Sequence, residues 1–156
     1  MFLKNYTSNV PVHQTISEIE RILISCGVQG ITKAYSPTGE VNAVIFHIEV
    51  GDSNMTVRLP ADKDKCQDAL WKAYDEAHPK KFRSDRKTRD DFAQQAERTA
   101  WRLQLDWVAV QMSFIQMNQA DFRQVFMAYL YDTKTKTTVY DRVLAGGFKT
   151  LLLENT

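Results

Sequence analysis

Between Glu97 and Met117 the chain reads ERTAWRLQLDWVAVQMSFIQM, with apolar residues at helical spacing on two faces. A helix at a domain surface needs one apolar stripe; a helix with two must be covered from both sides. With heptads counted from Ala93, positions a and d hold Ala93, Ala96, Ala100, Leu103, Trp107, Val110, Phe114 and Met117, all of them apolar. Positions b and f hold Trp101, Leu105, Val108, Met112 and Ile115. At about 100° per residue the two stripes lie about 150° apart. The pattern predicts a long helix from about 85 to 117 as the central rod, with an α/β layer on one face and the following helix on the other. The alternative is that one stripe meets a second copy or a partner protein. The three leading alanines would allow close helix approach there. Before Ala100 only Phe92, Ala93 and Ala96 are apolar, so this end is expected to project and present Arg86, Lys87, Arg89 and Arg98.

The remaining elements follow from local patterns. Thr15 with Glu18 resembles a capping box, and Ile16, Ile19, Leu23 and Cys26 repeat at helical spacing, which predicts a helix at 15–26. ITKAY (31–35) is short and β-prone. Val44, Phe46, Ile48 and Val50 alternate with Ile45, His47 and Glu49, and Met55, Val57 and Leu59 with Thr56 and Arg58. Gly51-Asp52-Ser53-Asn54 supplies the turn between them. Asp62 is placed to cap a helix running to Ala77, with Cys66, Leu70, Ala73 and Tyr74 inward, and His78-Pro79 breaks it. Asn118 and Asp121 restart a helix burying Phe122, Val125, Phe126 and Tyr129. TKTKTT (133–138) reads as a loop or strand, VYDRVLA as a helical turn, and the tail FKTLLLENT as apolar enough to dock. The fold class is α+β: an N-terminal helix, a three-stranded antiparallel sheet, a helix, then a helical C-terminal half on the long helix. One domain spans 1–156, with an α-β-β-β-α layer at 1–78, a basic lead-in at 79–91 and a helical half at 92–156.

Most chemistry is excluded by what the chain lacks. Three histidines and two cysteines are scattered singly, so neither a zinc site nor any other metal or cofactor is expected. There is no phosphate-binding glycine loop and no G-x-S-x-G elbow. Cys26 and Cys66 lie in amphipathic patterns and read as small buried hydrophobes of a reducing cytoplasm. The N-x-T triplets at Asn5 and Asn54 then carry no glycan. No apolar run is long enough to cross a membrane, and MFLKNYTSNVPV lacks a signal-peptide core. A secondary candidate face is His47, Glu49 and Arg58, with Thr56 and Lys33 near them. A His/Glu/Arg group suits acid–base work, but a solvated or helix-covered sheet face explains it more simply. Asp90-Asp91 suits a helix start, where acidic groups favour the helix dipole. A binding role is expected over an enzymatic one, with a small enzyme whose site is the hairpin face of His47, Glu49 and Arg58 as the minor alternative.

Charge is the stronger lead. Net charge is only +1, yet six of the 20 basic residues and two of the 19 acidic ones lie between Pro79 and Asp90, leaving that segment at +4 and the remainder at −3. Lys80, Lys81, Phe82, Arg83, Arg86, Lys87 and Arg89 combine dense charge with a stacking ring, and Phe92 follows. This suits a phosphate backbone. The bland alternative is a solvated loop. If all six cations contact phosphate, log K falls against log salt with a slope of about −5.

The order helix, three strands, helix across 15–77 is similar to the topology of double-stranded-RNA-binding domains. Those carry a Lys-rich start to their second helix, whereas this one begins DKDKCQDA, so no residue role transfers. Through KNYTSNVPV, VRLPAD with the helix after it, and AERTAWRLQLDWVAVQ, the chain resembles small proteins of prophages and integrative elements. That resemblance implies a mobile-element context in a bacterial cytoplasm, without a mechanism. The function expected is an accessory protein that binds nucleic acid or a nucleoprotein complex through the basic segment. The alternative is a protein-binding inhibitor of a host defence nuclease, of the anti-CRISPR type. A homodimer through the long helix is compatible with either.

Overall fold

In a computed structural model the chain is α+β, and the structure describes residues 2–79 and 85–148. The elements are α1 (Val12–Ser25), β1 (Gly30–Tyr35), β2 (Val41–Val50), β3 (Ser53–Pro60), α2 (Lys63–Ala77), a 3-10 turn (Arg89–Phe92), and α3 (Ala93–Gln116). Then come α4 (Phe122–Phe126), a second 3-10 turn (Met127–Tyr129), the two-residue strands β4 (Tyr131–Asp132) and β5 (Thr137–Thr138), and α5 (Val139–Gly146). The chain forms two compact units. One comprises Met1–Leu23 with Pro60–Val110, the other Ile24–Leu59 with Gln111–Thr156. The stretch 1–78, expected as one layer, is therefore shared between both units.

In the first unit, α2 begins where Asp62 accepts a hydrogen bond from the Lys65 backbone N–H at 3.0 Å. This satisfies one of the donors orphaned at a helix start. Cys66 and Leu70 of α2 form one buried cluster with Ala96 and Ala100 of α3, and Leu3, Ala61 and Phe92 pack against it. The alanine end of the seam is thus occupied by α2. The N-terminal turn covers the same part of α3. Thr99 donates its hydroxyl to the Asn5 carbonyl at 3.1 Å, and Gln95 and Arg98 donate to the Ser8 carbonyl at 3.0 and 3.1 Å. The early part of α3 therefore does not project as expected, because backbone carbonyls of residues 5 and 8 use its polar side chains. Arg98 is among them and does not face solvent as a free cation.

Two helix starts also differ from expectation. Helix α1 begins at Val12, because the Pro11 carbonyl already accepts from Gln14 and Thr15 N–H. Thr15 is consequently inside the helix and fully buried, and its hydroxyl has no hydrogen-bond partner among the described residues. Helix α3 starts at Ala93 rather than near 85, since Thr88 and Asp91 form a capping box that opens the 3-10 turn instead. In the second stripe Trp101, Leu105, Val108 and Met112 are buried and Ile115 is half-buried. The a/d seam is not: Leu103, Trp107 and Phe114 are half-buried, while Val110 and Met117 are 51% and 62% exposed.

In the second unit, β1, β2 and β3 form an antiparallel sheet in that order. The alternation in β2 and β3 buries Val44, Phe46, Ile48, Val57 and Leu59. Phe46 meets Phe122 and Phe126 edge-on at 6.3 and 5.7 Å, so α4 covers this face. Val125 and Tyr129, expected inward, are only half-buried because α4 ends after five residues. Asn118, at φ 58°, terminates α3, and Asp121 caps α4. The 133–138 stretch closes the β4–β5 hairpin, and α5 runs to Gly146. Of the tail, Phe148 is described and exposed; residues 149–156 lie outside the described residues.

Candidate functional site

The basic lead-in is anchored on the last turns of α2. Trp71, Tyr74, Asp75 and His78 recur at three- and four-residue spacing and so share one helical face. The backbone N–H of His78 donates to the Tyr74 carbonyl at 2.9 Å, ending the helix. Its ring Nδ1 donates to the same carbonyl at 3.0 Å, and its ring stacks on Tyr74 at 4.2 Å and 19°. Phe92, from the turn before α3, meets Tyr74 at 5.3 Å and Trp71 at 6.3 Å.

Arg86 closes this arrangement. Its Nε donates to the His78 carbonyl at 2.8 Å, its Nη2 pairs with Asp75, and its guanidinium lies 5.3 Å from the Trp71 ring centre and 5.9 Å from that of Tyr74. Only 14% of its side chain is exposed. Lys87 donates its backbone N–H to the Tyr74 hydroxyl at 3.0 Å, and its exposed ammonium sits 5.6 Å from the Phe92 ring centre. Arg89 pairs with Asp68 at 2.7 Å, while its carbonyl accepts from the buried Gln67 amide at 3.0 Å.

Of the seven candidate interface residues, the structure brings Arg86 and Lys87 together at the C-terminal end of α2 and sets Arg89 beside Gln67 and Asp68 in its first half. It gives two of them acidic partners. Lys80, Lys81, Phe82 and Arg83 lie outside the described residues. Trp71, Tyr74 and His78 were not singled out as site residues in the sequence, although their spacing on α2 held the signal.

The hairpin face is assembled in part. His47 Nδ1 and the Thr56 hydroxyl are 2.9 Å apart, and Glu49 is exposed. Arg58 lies near Asp141, whose pKa is lowered first by the Thr138 backbone N–H and hydroxyl and more weakly by this cation. Lys33 is not in the group. It pairs in register with Val44, which sets it on the opposite face from His47, the partner of Gly30. Beside this hairpin a cleft of about 210 Å³ opens between Asn54–Thr56 and Asp132, where Arg142 pairs with Asp132 at 2.8 Å. Among the described residues no group of three or more His, Cys, Asp or Glu is placed to hold a metal ion. Cys66 is buried, and burial followed by the nearby Asp62 charge pushes its thiol up. Cys26 is only half-buried, correcting its assignment to the core.

The chain matches no known protein family, no curated protein and no solved structure. The residues themselves carry what can be said of function. No described helix is long and apolar enough to cross a membrane.

Proposed function

We propose that this chain is a non-enzymatic accessory protein that binds nucleic acid, alone or within a nucleoprotein complex, through residues 80–89. The supporting observation is the Arg86 clamp. Arg86 and Lys87 of the basic segment are held at the C-terminal end of α2, Arg86 by the His78 carbonyl and Asp75, and Lys87 by the Tyr74 hydroxyl. The sequence places six cations between Pro79 and Asp90, and such dense positive charge is what a phosphate backbone selects. Arg86 and Arg89 already have carboxylate partners in Asp75 and Asp68. The expected phosphate contacts are therefore Lys80, Lys81, Arg83 and Lys87. Reversing charge with Lys80→Glu and Lys81→Glu should abolish binding to DNA or RNA at moderate salt. Unchanged binding would remove this assignment.

A second reading is a protein-binding inhibitor of a host defence nuclease. It is favoured by the neutralisation of Arg86 and Arg89 and by the exposed Val110 and Met117 on α3, which suit a protein surface or a second copy of the chain. The bacterial cytoplasm and a mobile-element origin belong to both readings. Affinity purification from a bacterial host, with and without nuclease treatment, separates them. Loss of all partners on nuclease treatment supports nucleic acid, and retention of a host nuclease supports inhibition.

A further inference from the structure

We infer that the exposed ring of His78 is a stacking platform for one unpaired nucleobase, making single-stranded nucleic acid the ligand class. This rests on the nucleic-acid reading above and sharpens it.

The platform is built outward from packed residues. Phe92 and Trp71 are half-buried and flank Tyr74, which is half-buried in turn. His78 lies parallel to Tyr74 and is exposed. Tyr74 is the aromatic ring it meets among the described residues. Its orientation is fixed by its own Nδ1 bond to the Tyr74 carbonyl, and its backbone by the Arg86 bond to its carbonyl. Tyr74 is fixed by the Lys87 N–H on its hydroxyl. A planar ring already held in place loses little freedom when another ring stacks on it. Such a face accepts any base, because every base presents a π surface.

Charge complements the stack. Lys87 follows the clamp directly and keeps its ammonium exposed, while Arg86 is withdrawn beneath the rings. That ammonium, 5.6 Å from the Phe92 ring centre, adds positive charge to the same aromatic cluster for the strand's phosphates. Paired bases within a duplex are already stacked on their neighbours and cannot use the platform without being flipped out, which takes energy. Stacking therefore selects single strands.

The test is fluorescence anisotropy with short labelled oligodeoxythymidylate, oligouridylate and DNA duplex, using the full chain. The wild type should bind both single strands more tightly than the duplex. His78→Ala and His78→Leu should each weaken single-strand binding by about 5- to 150-fold at fixed salt. The salt slope should not change, because no phosphate contact is lost. His78→Phe should retain affinity, and duplex binding should ignore all three changes. Salt-dependent binding indifferent to His78→Leu, or tighter binding of the duplex, overturns this inference alone. If the wild type binds none of the probes, the nucleic-acid reading falls and this inference with it.

Discussion

The Arg86 guanidinium lies over the Trp71 ring, 5.3 Å from its centre, on the side chain's way to Asp75. Fifteen residues separate the two in sequence. A largely buried cation with both a ring face and a carboxylate should stabilise the unit, whatever else it does. Arg86→Ala is expected to cost about 1–2 kcal/mol, from lost cation–π contact and an orphaned Asp75. That corresponds to a fall in Tm of about 2–8 °C for a chain of this size. Arg86→Lys should recover little, since an ammonium cannot serve the rings, Asp75 and the His78 carbonyl together. An unchanged Tm in Arg86→Ala would show that the clamp contributes nothing.

The partnerless hydroxyl of Thr15 gives a prediction of opposite sign. It is fully buried in α1 with no hydrogen-bond partner among the described residues. Thr15→Val keeps the shape and removes a buried polar group, so stability should rise by about 1 kcal/mol. Thermal unfolding should shift upward by about 2–4 °C. A lower Tm would mean that the hydroxyl is satisfied in solution.

The two stripes of α3 should respond differently to substitution. Val108 is fully buried, whereas Val110 is 51% exposed. Val108→Ala should cost about 2 kcal/mol through lost burial and a cavity. Val110→Glu should change stability by no more than about 0.5 kcal/mol, as an exposed helical site does. Urea midpoints compare the two directly. Equal losses would mean that the seam is covered, by a second copy or another partner.

Asp106 should make the first unit sensitive to acid. Burial raises its pKa, but hydrogen bonds from Lys4 and Asn5, with the charges of Lys4 and Arg102, outweigh burial and hold it below the ordinary carboxylate value. A carboxylate depressed in the folded state adds stability above its unfolded pKa of about 3.9 and loses it as pH falls through the folded value. The wild type should therefore exceed Asp106→Asn in urea midpoint at pH 7, and the gap should close in acid below that range. A gap that persists there would assign the difference to packing.

How much of this was legible depended on whether the cause was local. Asp62 and Asp121 lie a few residues from the N–H groups they accept, so their helix starts could be read directly. The alternation of β2 and β3 fixed their faces in the same way. Thr15 with Glu18 misled because Pro11 had already begun α1. The double stripe on α3 was visible, but not which stripe would be buried. Cys66 and Leu70 cover Ala96 and Ala100 at the alanine end of the a/d seam, while the rest of that seam is half-buried or exposed. In the candidate site, the charge cluster was legible as composition. Its neutralisation by Asp68 and Asp75, and the withdrawal of Arg86 beneath Trp71, arise from packing across 11 to 21 residues, where spacing carries no signal. His78 looked like a helix breaker beside Pro79, although its i, i+4 spacing from Tyr74 carried the signal of the ring stack.

The most direct test of the central claim is the salt dependence of wild-type binding to a single-stranded oligonucleotide. Four engaged cations, with Arg86 and Arg89 held by their carboxylates, predict that log K falls against log salt with a slope of about −3. A flat response, or no binding at low salt, would contradict the account.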